Sequence, residues 1–296
     1  MEHSNRFELS PIVAGTMGYG KGGKNLSIRQ VRTLIQETVR TGIKTFEMAD
    51  IYGDYTTEGL FGEAWKGAGI AREQVQFITK CGIKDVNNTR PDYSVKHYDT
   101  GYEYIVWSAE NSLRNLGTEY LDLLLIHRPD PLMNPHEIAE AFHKLRKEGK
   151  VLHFGVSNFT PSQFEMLNDV FPLFTNQVEI SLLHRETFLD GTLDQCIRKG
   201  IRPMAWGPLA AGQFASQPYS EAEEVQKVLQ TIAKKHNVTP AQILVAWLLR
   251  HPSGIHPVMG TTRPERLQEA MEATKIRLSR EEWFAMWEAA AGEEVP

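Results

Sequence analysis

The sequence predicts an α/β protein, a closed (β/α)8 barrel of the TIM type, and three observations predict it. First, short apolar segments alternate with helical runs along all 296 residues. Second, three helical runs end in a Gly that leads at once into a strand, at Gly42-Ile43, Gly149-Lys150-Val151 and Gly200-Ile201. Gly in that place takes the left-handed conformation that stops a helix, and the chain turns straight back into the sheet. Repeated units of this kind mean parallel strands. Third, no Pro/Gly/Ser linker and no shift in composition divides the chain. Length alone suggests about two domains, but the unbroken repeat predicts a single barrel domain over residues 1–296.

The strands are expected at Ile12 to Thr16, then at 45–50 (TFEMAD), 75–80 (VQFITK), 121–127 (LDLLLIH), 151–156 (VLHFGV), 175–180 (TNQVEI), 201–206 (IRPMAW) and 255–259 (IHPVM). They are short and mostly apolar, as strands covered on both faces should be. Helical periodicity fills the gaps: Val31, Leu34, Ile35 and Val39 recur at steps of three or four, as do Ile138, Ala141, Phe142 and Leu145. Ser27 with Gln30, Thr160 with Gln163, Ser220 with Glu223 and Ser279 with Glu282 fit the capping box that opens a helix. Pro161 and Pro240 suit the first helical position. A helix at 221–235 and longer loops at 83–99 and 207–220 are insertions.

Composition narrows the function classes. There are 32 Lys+Arg against 37 Asp+Glu, a formal charge of −5, with 41% hydrophobic residues and a mean hydropathy of −0.36. That balance argues against disorder and against a general affinity for nucleic acid. Cys81 and Cys196 read as buried free thiols, since two cysteines make no disulfide framework. The polar stretch Met1 to Ser10 lacks the apolar centre of a signal peptide. The longest apolar stretch, near Ile243 to Leu249, is too short to cross a bilayer. A cytoplasmic protein, free of the membrane and monomeric, is the expectation.

In such a barrel the chemistry stands at the C-terminal ends of the strands. Following them in order gives Glu47, Asp50 and Tyr52, then Lys80, His127 with Arg128 and Asp130, Ser157-Asn158, Asn176-Gln177, Trp206-Gly207-Pro208, and Gly260-Thr261-Thr262-Arg263. Taken singly, each is the polar end any strand needs. Together they make one rim of acid, base and hydrogen-bonding groups. Tyr, with an ordinary pKa of about 10, is a reluctant acid near neutrality, and a Lys ammonium beside it favours the phenolate. A carboxylate holds the Lys in place, and a neutral His donates to a carbonyl oxygen. The set is suited to protonating a carbonyl as a hydride arrives. His127 and Asp130 lack the spacing of a metal site, and no HxxxH or CxxC pair accompanies them, so no metal is expected.

These residues lie in motifs with a family resemblance. Phe46-Glu47-Met48-Ala49-Asp50-Ile51-Tyr52-Gly53, Thr79-Lys80-Cys81-Gly82, Ile126-His127-Arg128-Pro129-Asp130, Gly155-Val156-Ser157-Asn158-Phe159, Asn176-Gln177-Val178-Glu179 and Gly260-Thr261-Thr262-Arg263-Pro264-Glu265-Arg266 follow one another in order and at the right spacing. In this the chain resembles the aldo-keto reductases from Gly15-Thr16-Met17 to Arg266. The resemblance implies NADPH-dependent reduction of aldehydes or ketones to alcohols. Tyr52 would be the proton donor, Lys80 would lower its pKa, His127 would orient the carbonyl, and Glu47 would hold Lys80. Ser157, Asn158 and Gln177 would bind the nicotinamide carboxamide, and Trp206 would stack on its ring. Gly15, Thr16 and Met17 would border the cofactor. Gly207, Leu209 and Gly212 would line the pyrophosphate path. Gly260, Thr261, Arg263 and Arg266 would meet the adenosine 2′-phosphate, where guanidinium geometry favours NADP(H) over NAD(H). Met17, Tyr19, Tyr55, Arg128, Phe159 and Phe214 are candidates for the wall of a small-molecule carbonyl pocket.

Three positions depart from the family's pattern, among them Ala270, which stands where many members have Asn. Glu47 stands where its F-D-T-A-x-x-Y-G motif has Asp, which leaves Glu47 and Asp50 as rival partners for Lys80, and Gly260 stands where many members have Lys. The Glu47 change gives weight to a second reading, an NADPH-binding sensor subunit of the same fold with little turnover, against which the intact Tyr52, Lys80 and His127 argue; a third, a metal-dependent hydrolase on the same barrel, is argued against by the missing metal-site spacing.

Overall fold

The computed structural model describes residues 7–90, 92–210 and 220–296, with the backbone alone at 220–222. Eight parallel strands close into a barrel: β1 (Val13–Gly15), β2 (Thr45–Glu47), β3 (Gln76–Cys81), β6 (Leu121–Ile126), β7 (Val151–Ser157), β8 (Asn176–Glu179), β9 (Met204–Trp206) and β10 (His256–Met259). Around the barrel the order is β1-β10-β9-β8-β7-β6-β3-β2. The fold class predicted from the sequence is the one observed. The loop after β3 carries a further antiparallel pair, β4 (Ile83–Lys84) and β5 (His97–Tyr98). The strand expected at 201–206 is shorter, because Pro203 has no N–H to give a neighbour.

The helices form the outer ring: α1 (Ile28–Arg40), α2 (Tyr52–Tyr55), α3 (Thr57–Lys66), α4 (Tyr102–Leu116), α5 (Pro135–Lys147), α6 (Pro161–Asn168), α7 (Thr192–Lys199), α8 (Ser220–His236), α9 (Pro240–Leu249), α10 (Pro264–Ala273) and α11 (Arg280–Ala291). Capping boxes at Ser27, Thr160 and Ser279 are present, with another at Thr239 through Gln242. Gly42, Gly149 and Gly200 have φ of 92°, 70° and 67°, the left-handed turns the junctions require. The expected box at Ser220 falls on a side chain outside those described.

Side chains alternate along a strand, so every second residue faces the barrel interior. Register puts Gly15 beside Glu47, Glu47 beside Ile78, Leu125 beside Gly155, and Ser157 beside Gln177 and, through it, Met204. Leu9, Val13, Ile78, Leu123, Leu125, Met204 and Val258 pack as the interior core, and Phe7 stacks on His153 beneath them with ring centroids 4.2 Å apart. A larger cluster, including Phe46, Phe61, Phe77, Phe142 and Phe154, fills the space between strands and helices. Counting two residues on from interior Ile78, Leu125, Gly155, Met204 and Val258 gives Lys80, His127, Ser157, Trp206 and Gly260. The pleat thus delivers the polar ends of separate strands to one mouth.

Candidate active site

Lys80 is the hub. Its ammonium donates to Tyr52 Oη at 2.8 Å, to the Met48 carbonyl at 2.9 Å and to Glu47 Oε1. All three of its donors are used, which is what keeps so buried a cation tolerable. The Lys80 and Glu47 side chains are 2% and 3% exposed. Tyr52 Oη donates in turn to Glu47 Oε1 at 3.3 Å. The Tyr52 ring stands edge-on to His127, centroids 6.1 Å apart and 82° between planes. Directly after Tyr52, Gly53, Asp54 and Tyr55 have φ of 60°, 55° and 65°. This left-handed run breaks the helix that Tyr52 begins and sets the angle at which its ring enters the mouth. Sequence patterns carried no sign of the Met48 carbonyl's role, since any residue type supplies one.

The electrostatics follow from burial. It pushes the Tyr52 phenol well above its ordinary pKa, with the Glu47 carboxylate adding to the effect. Arg128 opposes the rise and is outweighed, so Tyr52 is held as the phenol. Burial pulls Lys80 down, and Glu47 opposes the shift. Burial, Lys80 and Arg128 hold His127 well below its usual range, so its imidazole is neutral near pH 7.

Glu47 and Asp50 occupy different environments. Asp50 faces α4, where its Oδ2 accepts from Ser108 Oγ at 2.9 Å and Tyr104 Oη at 3.4 Å. Only its backbone N–H meets Lys80, at the carbonyl, 3.0 Å away. The carboxylate that takes the ammonium is Glu47.

Beside this cluster runs a polar chain. Trp206 Nε1 donates to Asn158 Oδ1 at 2.9 Å, Asn158 Nδ2 to Ser157 Oγ at 2.7 Å, and Ser157 Oγ to the Gln177 carbonyl at 2.9 Å. Asn158 sits at φ 61°, a left-handed position that Asn tolerates better than most residues. Gln177 Nε2 reaches across the barrel to Glu47 Oε1 at 3.0 Å. Among the described residues, the buried polar atoms without a partner include Thr16 Oγ1, His127 Nδ1 and Gln177 Oε1 at strand ends, and Asp50 Oδ1. Buried polar atoms are normally satisfied, so such a cluster suits a polar ligand. Met17 is 64% exposed at the rim, and the Arg128 guanidinium lies 5.8 Å from the Trp206 ring.

Farther along the mouth, Gly207 has φ 64° and Leu209 is half-buried against the core. Gly212 and Phe214 lie outside the described residues. Gly260 faces open space, with no atom within 4 Å of where a Cβ would stand. Thr261 Oγ1 accepts from the Arg263 N–H at 3.2 Å, and Arg263 and Arg266 are exposed around the start of α10. Two expected pocket residues belong elsewhere: Phe159 and Tyr19 are 2% and 1% exposed within the core. Asp130 closes a turn, accepting from Leu132 N and Thr100 Oγ1. No cluster of metal-ligating residues occurs among the described residues.

This geometry has close relatives. The model of the aldo/keto reductase family matches residues 11–291. The chain belongs to the aldo/keto reductase family. It is similar to the oxidoreductase YdhF of Escherichia coli K12, 45% identical over 275 residues covering 92% of this chain and 91% of that one. The 6-dehydroglucose reductase of Agrobacterium fabrum is 41% identical over 294 residues, covering 99% and 98%. A solved aldo/keto reductase of Klebsiella pneumoniae, in complex with NADP and acetate, has a TM-score of 0.74 and 28% identity, covering 93% and 89%. Aldo/keto reductases are oxidoreductases that generally reduce carbonyl compounds with a nicotinamide cofactor. Among the described residues no helix is long and apolar enough to cross a membrane.

Proposed function

We propose that this chain reduces aldehydes or ketones to alcohols with NADPH, and that Tyr52 is the proton donor. The observation that carries the reading is the Lys80 hub: one buried ammonium joined to Tyr52 Oη and Glu47 at the mouth of the barrel. NADPH, when bound, supplies the hydride. Everything else is the work of the chain's residues. Tyr52, held as the phenol by burial and Glu47, has a proton to give to the carbonyl oxygen. Lys80 then faces the oxygen left behind and stabilises its negative charge. Neutral His127 stands edge-on to the Tyr52 ring and offers a further hydrogen bond to orient the carbonyl.

Ser157, Asn158 and Gln177 would hold the nicotinamide carboxamide, and Trp206, fixed by its bond to Asn158, would cover the ring. Gly15, Thr16 and Met17 would border it, with Gly207, Leu209 and Gly212 along the pyrophosphate. Gly260, Thr261, Arg263 and Arg266 would receive the 2′-phosphate. The name of the Agrobacterium relative and the polar rim with Arg128 make a sugar-derived aldehyde the first substrate to try. The assay follows loss of NADPH absorbance with 4-nitrobenzaldehyde and with a 6-aldehydo sugar. Turnover that Tyr52→Phe abolishes supports the reading. NADPH binding without turnover on any carbonyl compound favours the sensor reading instead.

A further inference from the structure

Glu47 Oε1 collects three donors: Lys80 Nζ, Tyr52 Oη and, from the far side of the barrel, Gln177 Nε2. The third is unlike the others. β2 and β8 are not neighbours; β2 pairs with β1 and β3, and β8 with β7 and β9. The bond therefore spans the mouth between side chains 130 positions apart. An Asp at position 47 ends one methylene short of this reach.

The bond also decides which way the Gln177 amide points. A side-chain amide can turn over, exchanging its oxygen and nitrogen. With the oxygen toward Glu47, two acceptors would face each other. The carboxylate therefore selects the orientation with Nε2 inward, which leaves Gln177 Oε1 buried and without a partner. The hydroxyl of the adjoining Ser157 gives its proton to the Gln177 backbone carbonyl.

We infer that Glu47 is a positioning residue for the cofactor as well as the partner of Lys80: by holding the Gln177 amide, it presents Oε1 as a fixed acceptor for the N–H of the nicotinamide carboxamide. One carboxylate thereby links the proton donor to the group that orients the hydride donor. This rests on the cofactor reading given above.

The test measures binding, by quenching of tryptophan fluorescence, of NADP+ and of its 3-acetylpyridine analogue, whose acetyl group has no N–H to donate. Glu47→Asp keeps a carboxylate for Lys80 but withdraws it from Gln177. It is expected to weaken NADP+ about fivefold, the worth of one neutral hydrogen bond, and to leave the analogue's affinity little changed. In a Gln177→Met background the same change should have almost no effect on NADP+, because contacts that act through one another are not additive. Equal weakening of NADP+ and the analogue overturns the inference, since Glu47 would then meet the cofactor elsewhere. No weakening of NADP+ also overturns it. If the wild-type protein binds neither nucleotide, the cofactor reading fails first and the inference falls with it. If Glu47→Asp does not fold, Glu47→Gln is read in the same way, because its amide no longer dictates the Gln177 orientation.

Discussion

Lys80 Nζ lies 2.8 Å from Tyr52 Oη, and the same buried ammonium is paired with Glu47. Positioned proton transfer contributes about 10²–10⁴-fold to a rate. Tyr52→Phe is therefore expected to cut kcat for NADPH-dependent carbonyl reduction by at least about a hundredfold. Steady-state kinetics check this, and turnover preserved in the Phe variant would refute the role of Tyr52. Lys80→Met should lose activity and also lower stability by about 3–5 kcal/mol, because it leaves Glu47 buried without its cation; chemical denaturation measures the second effect.

Arg263 and Arg266 are exposed near the start of α10, beside a loop where Gly260 leaves open space. Each charge-assisted contact with a phosphate contributes roughly 1.5–3 kcal/mol. Arg263→Ala and Arg266→Ala should each weaken NADPH by about tenfold or more while changing NADH little. Titrations with both nucleotides decide it, and equal losses would remove the 2′-phosphate from this loop.

Burial, with Glu58 adding to it, raises the Asp50 carboxyl from its ordinary 3.8 to about 7. Between those values the folded chain holds a proton that the unfolded chain has released. Stability from this group is fully present below the ordinary pKa and falls as the pH rises to 7. Asp50→Asn keeps an acceptor for Ser108 without the charge. It should be more stable than the wild type at pH 8, by on the order of 3 kcal/mol, with the gap closing toward pH 4. Melting curves across that range test the sign.

Close approach explains two glycines. A Cβ on Gly155 would stand 2.7 Å from the Thr175 carbonyl oxygen and 2.8 Å from Leu125 Cδ2; one on Gly62 would stand 2.0 Å from the Asn115 carbonyl oxygen. Backbone cannot yield as a side-chain tip does. Gly155→Ala and Gly62→Ala should each cost about 1–3 kcal/mol by overpacking, with the larger loss at Gly62. Urea denaturation measures both, and an unchanged midpoint would show that α3 or β7 can shift freely.

The barrel was legible because its signals are local. The Gly-ended helices, the capping boxes at Ser27, Thr160 and Ser279, and the short apolar strands each act within a few residues. The candidates Tyr52, Lys80, His127, Ser157 and Trp206 were legible for a related reason: in parallel strands of one barrel, strand ends face one rim. The core positions of Tyr19 and Phe159 were not legible, because an aromatic side chain beside a mouth reads the same whether it lines the mouth or packs behind it.

The choice between Glu47 and Asp50 shows where local pattern stops. Chain order places both acids just after the apolar part of β2, and either could be imagined against Lys80. Pleat parity and the turn at Ala49 send Glu47 into the barrel and Asp50 toward Ser108 of α4. The bond from Gln177 to Glu47 lies further still from anything local, since it joins residues on opposite walls of a closed sheet. Order, spacing and residue type specify which groups each strand carries to the mouth. Which of them touch, and which way an amide points between them, depends on the closure of the barrel, because only closure brings β2 and β8 within reach of one another.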